Sequence, residues 1–107
     1  MACETAVVAS AVGGIPEVVV DGETGSLVPL EPAGGTSIEP RDPERFERDL
    51  ASAIADLMAH PDRREAMGRA GRRRAVDHFG WDAIARQTAD LYRSLVGAAP
   101  AAALPRD

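Results

Sequence analysis

Thr5–Ser10, TAVVAS, is apolar on successive positions with no polar alternation, and Gly13-Gly14 breaks it. A strand with one wet face alternates every second residue, whereas a run apolar on both sides suits a buried strand of a parallel sheet. After the glycines, Pro16 fits the first position of a short helix, where its missing N–H costs nothing. Glu17 then falls in the first turn, where a carboxylate meets the positive end of the helix. That helix is expected to continue through Val20 until Asp21-Gly22 turns the chain. Thr24–Val28, TGSLV, reads as a second buried strand closed by Pro29.

Pro32–Pro40 is rich in Gly, Pro, Thr and Ser and reads as a loop. Beyond it the pattern becomes helical. Asp42-Pro43 is a cap followed by a first-turn proline, and Phe46, Leu50, Ile54 and Leu57 follow as one apolar stripe. Pro61 disfavours helical geometry at His60 and ends this helix, leaving His60 among terminal carbonyls. Pro61 opens a second helix whose narrow inner face holds Met67, Ala70, Gly71 and Ala75. Phe79-Gly80 interrupts, and a third helix carries Trp81, Ile84, Thr88, Leu91, Tyr92 and Leu95. The stretch 97–107, GAAPAAALPRD, is low in complexity and expected to be a disordered tail.

The chain has 107 residues, the size of one domain. Its hydrophobic share is 45% but its aromatic share only 4%, so Ala and Val carry much of the burial and the core is expected to be marginal unless another surface covers it. The net charge of −5 argues against nucleic-acid binding, which needs a basic face. Arg72-Arg73-Arg74, flanked by Glu65 and Asp77, reads as a solvated helix face, with an anion or phosphate contact as the alternative. A single cysteine, Cys3, excludes an internal disulfide and reads as a small buried packing residue. Two distant histidines make no metal set, and no cofactor is expected. Ala6–Val12 imitates a signal-peptide core, but no Lys or Arg precedes it and Glu4 stands where positive charge belongs. No segment reaches membrane-spanning length, so a reduced, cytoplasmic setting is expected.

The ordered patterns in MACETAVVASAVGGIPEVVVDGETGSLVP (Met1–Pro29) and FGWDAIARQTADLYRSL (Phe79–Leu95) resemble retaining glycosyltransferases of the two-Rossmann-domain, GT-B type, glycosyltransferase family 4, a group that includes bacterial glycogen synthases. The loop EPAGGTSIEPRDPERF is most similar to glycogen synthases of actinobacterial type. The resemblance implies an α/β fold: residues 1–96 as the last part of a Rossmann-like, nucleotide-sugar-binding C-terminal domain, two short parallel strands followed by three helices. It implies a parent that transfers glucose from a nucleotide-diphosphate sugar, ADP-glucose, to an α-glucan. The family contacts the donor with two glutamates separated by seven intervening residues, and their place falls ahead of Met1. No catalytic residue is therefore expected in this chain, and the acceptor-side, N-terminal domain is expected to be missing from it. Glu23, Glu31, Glu39 and Glu47 repeat the same spacing by coincidence, outside the family's context. Relatives commonly carry glycine at the position of Glu4, and serine at that of Gly80.

Gly13 and Gly14 are the candidate substrate-binding residues. They follow a strand's carboxyl end, where crevices form in open α/β sheets, and backbone N–H groups at a helix start face anions well. The pair lacks the G-x-G-x-x-G spacing, so positive φ or close packing is an alternative reason for it. Glu17 reads as a helix-start charge. A different class of function, a stand-alone helical interaction module using the Phe46/Leu50/Ile54 and Trp81/Leu91 stripes, is the alternative; two buried-type strands argue against it.

Overall fold

The computed structural model describes residues 1–97, and its elements are β1 (Val7–Ser10), α1 (Ile15–Val18), β2 (Gly25–Val28), α2 (Pro43–Ala59), α3 (Pro61–Phe79) and α4 (Trp81–Val96). The two strands run parallel, in the register Val7↔Gly25 to Ser10↔Val28. This is the expected α/β order of two parallel strands and three long helices, and it sets aside the purely helical alternative. The expected disordered tail lies, apart from Gly97, outside the described residues. No helix among the described residues is long and apolar enough to cross a membrane.

Gly25 is buried where β2 starts, and a Cβ there would meet Val7 O at 2.5 Å and Val19 Cγ1 at 2.9 Å. The strands therefore approach this closely only because that residue is glycine. The turn before it is fixed by side chains as well as by backbone bonds such as Gly22 N–H to Gly25 O at 2.9 Å. Thr24 is buried; its Oγ1 accepts from Val20 N–H at 2.9 Å, and Asp21 Oδ1 accepts from Leu27 N–H at 2.8 Å. These bonds satisfy backbone donors that a short crossover would otherwise leave unpaired. They also correct the expected span of α1, which stops at Val18: Val19 is extended, with φ −97° and ψ 125°. The helix also starts one residue early, at Ile15, so Pro16 is its second residue, not its first.

Asp42 Oδ1 accepts from Arg45 N–H at 3.0 Å, so α2 begins with the cap and proline read from the sequence. His60 Nδ1 lies 2.7 Å from the Asp56 carbonyl oxygen at the α2–α3 corner, as expected for a ring among terminal carbonyls. Helices α2 and α3 pack on the strands, and the apolar core comprises Val19, Val28, Leu57, Met67 and Ala83. Of the α2 stripe, Leu57 is buried, Phe46 and Leu50 are half-buried, and Ile54 is exposed. The inner face of α3 is Met67, Gly68 and Gly71, with Ala70 and Ala75 only half-buried.

The N-terminal turn corrects two expectations. Glu4 N–H donates to Met1 O at 2.9 Å, and Glu4 has φ +59°. Its carbonyl oxygen lies directly against Gly68, where any Cβ would collide, while a Cβ on Gly71 would touch Met1 Cγ at 3.4 Å. Met1 thus takes the inward position, and Cys3 is exposed rather than buried. Arg72 Nη1 donates to Ala2 O at 2.6 Å, and Arg74 donates to the carbonyl oxygens of Glu17 and Val18. Two of the three consecutive arginines are therefore ties between distant segments, not a merely solvated face. All three acceptors belong to exposed residues, and a long guanidinium reaches them across the fold.

Candidate functional site

Because the strands are parallel, β1 and β2 both end at the same edge. Ala11 N–H donates to Val28 O at 2.8 Å and carries the ladder just past that edge. The chain then enters Val12-Gly13-Gly14. Gly13 has φ +53°, a left-handed conformation that favours glycine, whereas Gly14 is ordinary at φ −81°. A Cβ at either would meet nothing within 4 Å. Close packing is therefore not the reason for the pair; positive φ is the reason for Gly13, and open space surrounds both.

The hydrogen bonds of this turn leave a specific remainder. Ile15 N–H donates to Val12 O at 3.1 Å and Glu17 N–H to Gly14 O at 3.1 Å. The N–H groups of Gly13 and Gly14 donate to no protein acceptor among the described residues, and both glycines are exposed. Two successive free donors at the carboxyl edge of parallel strands offer hydrogen bonds to phosphate or hydroxyl oxygens. Glu17 is exposed in the first turn of α1, as read from the sequence.

Past the end of β2, a cavity of about 90 Å³ opens beside Leu30, Arg41 and Phe46. Neither glycine lines it, so the two features share an edge without forming one pocket. The hairpin-like loop that walls it is tied by Arg41 N–H to Glu31 O at 2.7 Å and Ala33 N–H to Glu39 O at 2.9 Å. An open groove of about 430 Å³ lies beside Glu4, Arg69, Arg72 and Arg73. That groove flanks the turn before β1, at the entering rather than the leaving end of the strand. Glu23, Glu31, Glu39 and Glu47, the spaced glutamates, are all exposed and distributed over a turn, a loop and α2. No group of three His, Cys, Asp or Glu among the described residues could hold a metal ion.

Sequence reasoning missed Thr24 and Arg74. The signal for Thr24 was present in D-G-x-T-G, where a threonine four residues after Val20 can close the turn. Nothing in the sequence linked Arg74 to Glu17 and Val18, because their partnership depends on how α3 crosses the sheet.

The Glycosyl transferases group 1 family matches residues 1–74. The alpha-maltose-1-phosphate synthase of Mycolicibacterium smegmatis is 50% identical over 95 residues, which cover 89% of this chain and 22% of that protein. The D-inositol 3-phosphate glycosyltransferase of Kribbella flavida is 41% identical over 96 residues, covering 87% of this chain and 18% of that protein. Among solved structures, sucrose-phosphate synthase from Thermosynechococcus elongatus aligns with a TM-score of 0.66 at 41% identity, over 92% of this chain and 21% of that one. The chain thus spans about a fifth of the length of these relatives (22% of the first). The expected fold, part of a Rossmann-like GT-B domain, agrees with the structural match. The expected likeness to glycogen synthases holds at the level of the family; the relatives named here are not glycogen synthases.

Proposed function

This chain belongs to the group 1 glycosyl transferases, and we propose that it forms the carboxyl-terminal, donor-side part of a retaining transferase that moves glucose from a nucleotide-diphosphate sugar, ADP-glucose, to a glucose-phosphate acceptor. The observation that carries this reading is the 50% identity over 95 residues to an alpha-maltose-1-phosphate synthase. A maltose phosphate contains two glucose units, so joining glucose to a glucose phosphate is the direct route to such a product. The α-glucan acceptor is a second reading, favoured by the loop from Glu31 to Phe46 and its likeness to actinobacterial glycogen synthases.

In this proposal the free N–H groups of Gly13 and Gly14 hydrogen-bond the donor's diphosphate. Negative charge grows on that group as the glycosidic bond breaks, and fixed dipoles aimed at developing charge lower the barrier without reorganising. The glutamate pair that the family uses on the sugar and ribose has no counterpart among the chain's four spaced glutamates. The chain therefore supplies one wall of the donor site rather than the reacting groups.

The test is a chimera in which this chain replaces its matched 95-residue segment in the Mycolicibacterium smegmatis enzyme. The chimera is expected to transfer glucose from ADP-glucose to glucose 1-phosphate, assayed by nucleotide release and product chromatography. A folded chimera that transfers only to glycogen favours the second acceptor. One that transfers to neither overturns the proposal.

A further inference from the structure

We propose that Arg74 is a positioning residue for the donor side of the transfer reaction: from α3 it holds α1, and through α1 the Gly13-Gly14 turn whose N–H groups meet the donor. The inference rests on the transferase reading above for its purpose, and on geometry alone for the clamp.

Helix α1 has four residues and none of them is buried. A helix this short closes almost no hydrogen bonds to offset the cost of nucleation, and isolated helices below about 12 residues are marginal. Nor is the preceding turn gripped by packing, since both glycines face open space. Something outside the segment has to hold it. Arg74 Nε donates to Val18 O at 2.8 Å and Arg74 Nη2 donates to Glu17 O at 2.7 Å, across 56 and 57 residues of sequence. These are carbonyls of the last turn of α1, which have no partner within the helix and carry its partial negative charge. A guanidinium answers both needs at once, with two donors in a planar fork and a full positive charge.

The arginine is itself held in place. Its guanidinium carbon lies 5.6 Å from the centre of the Phe79 ring, within cation–π range, and the residue is half-buried. Both belong to α3, a 19-residue helix anchored in the core by Met67. A long, anchored helix thus lends rigidity to a short one that has little of its own. Arg72 does a different job, on Ala2 and Glu4, so the consecutive arginines separate by function.

The experiment compares the 107-residue chain with Arg74→Ala and Arg74→Lys by amide hydrogen exchange. It then carries the same substitutions into the chimera described above. The amides of Ile15, Glu17 and Val19 are expected to exchange about tenfold faster in Arg74→Ala while those of α2 keep their rates, the pattern of local rather than global opening. Arg74→Lys, with one ammonium for two carbonyls, should fall between. In the chimera, KM for ADP-glucose should rise severalfold and kcat should fall with it, because the same N–H groups hold the diphosphate and stabilise its developing charge. Exchange that is unaltered in α1, or that rises equally in α2, overturns the clamp. An unchanged KM in an active chimera overturns the link to the donor. An inactive parental chimera counts against the transferase reading alone, and the exchange arm still decides the clamp.

Discussion

Glu4 occupies the left-handed region at φ +59°, where a side chain costs about 1–2 kcal/mol and glycine does not. Its carbonyl is pressed against Gly68, so the turn has no freedom to relax into another shape. The glycine common at this position in the resembling family now has a physical reason. What glutamate adds in exchange is an exposed ion pair with Arg72 at 3.8 Å, and such pairs contribute at most about 1 kcal/mol. We therefore expect Glu4→Gly to raise stability by about 0.5 kcal/mol after the added freedom of the unfolded chain is counted; a lower urea midpoint would contradict this. The candidate site was legible at this scale only in part. Gly13 and Gly14 were proposed from their place after a strand, and positive φ was one of the reasons offered for the pair, which only Gly13 adopts. The exposure of Cys3 and the burial of Gly68 were not legible, because both depend on Met1–Glu4 lying across a helix more than sixty residues away.

Helix ends are local events, and the elements they bound were correspondingly readable. Asp42-Pro43 and His60-Pro61 mark the start of α2 and the passage to α3 through chemistry contained in a few residues. What a helix packs against is not local. The stripe of α4 is strongly apolar, yet among the described residues only Ala83 of that helix is buried; Trp81 is 88% exposed and Leu95 73%. Met67 on α3, by contrast, is 2% exposed and surrounded by core. Met67→Ala is expected to destabilise the chain by about 2–5 kcal/mol, the range for a well-packed core side chain. Leu91→Ala, on the open face of α4, should cost less than about 1 kcal/mol. Equal losses in thermal or urea denaturation would mean that α4 is covered in solution. The periodicity that identified the stripe was right about the helix and silent about its cover, since the same pattern serves any apolar neighbour.

At the scale of the whole molecule, the free N–H pair faces open space and the nearby cavity holds about 90 Å³, against roughly 300–1,000 Å³ for an ordinary ligand pocket. Water competes freely for donors on such a surface. The purified 107-residue chain is therefore expected to show no transfer from ADP-glucose to glucose 1-phosphate or glycogen, and no micromolar binding of ADP-glucose by calorimetry. Robust turnover or tight binding would show that the chain encloses a site by itself. The fold class was legible because unalternating strands and capped helices fix layers, whereas the enclosure of a site depends on surfaces that meet from afar. The turn at Met1–Glu4 carries that distance into time. Arg72 meets Ala2 across 70 residues, so a ribosome adding about 5–20 residues per second releases the turn roughly 4–14 s before its seat on α3 exists. Through that interval α2 can already cover the paired strands, but the turn lacks both the glycine seat and the arginine that hold it in the finished fold.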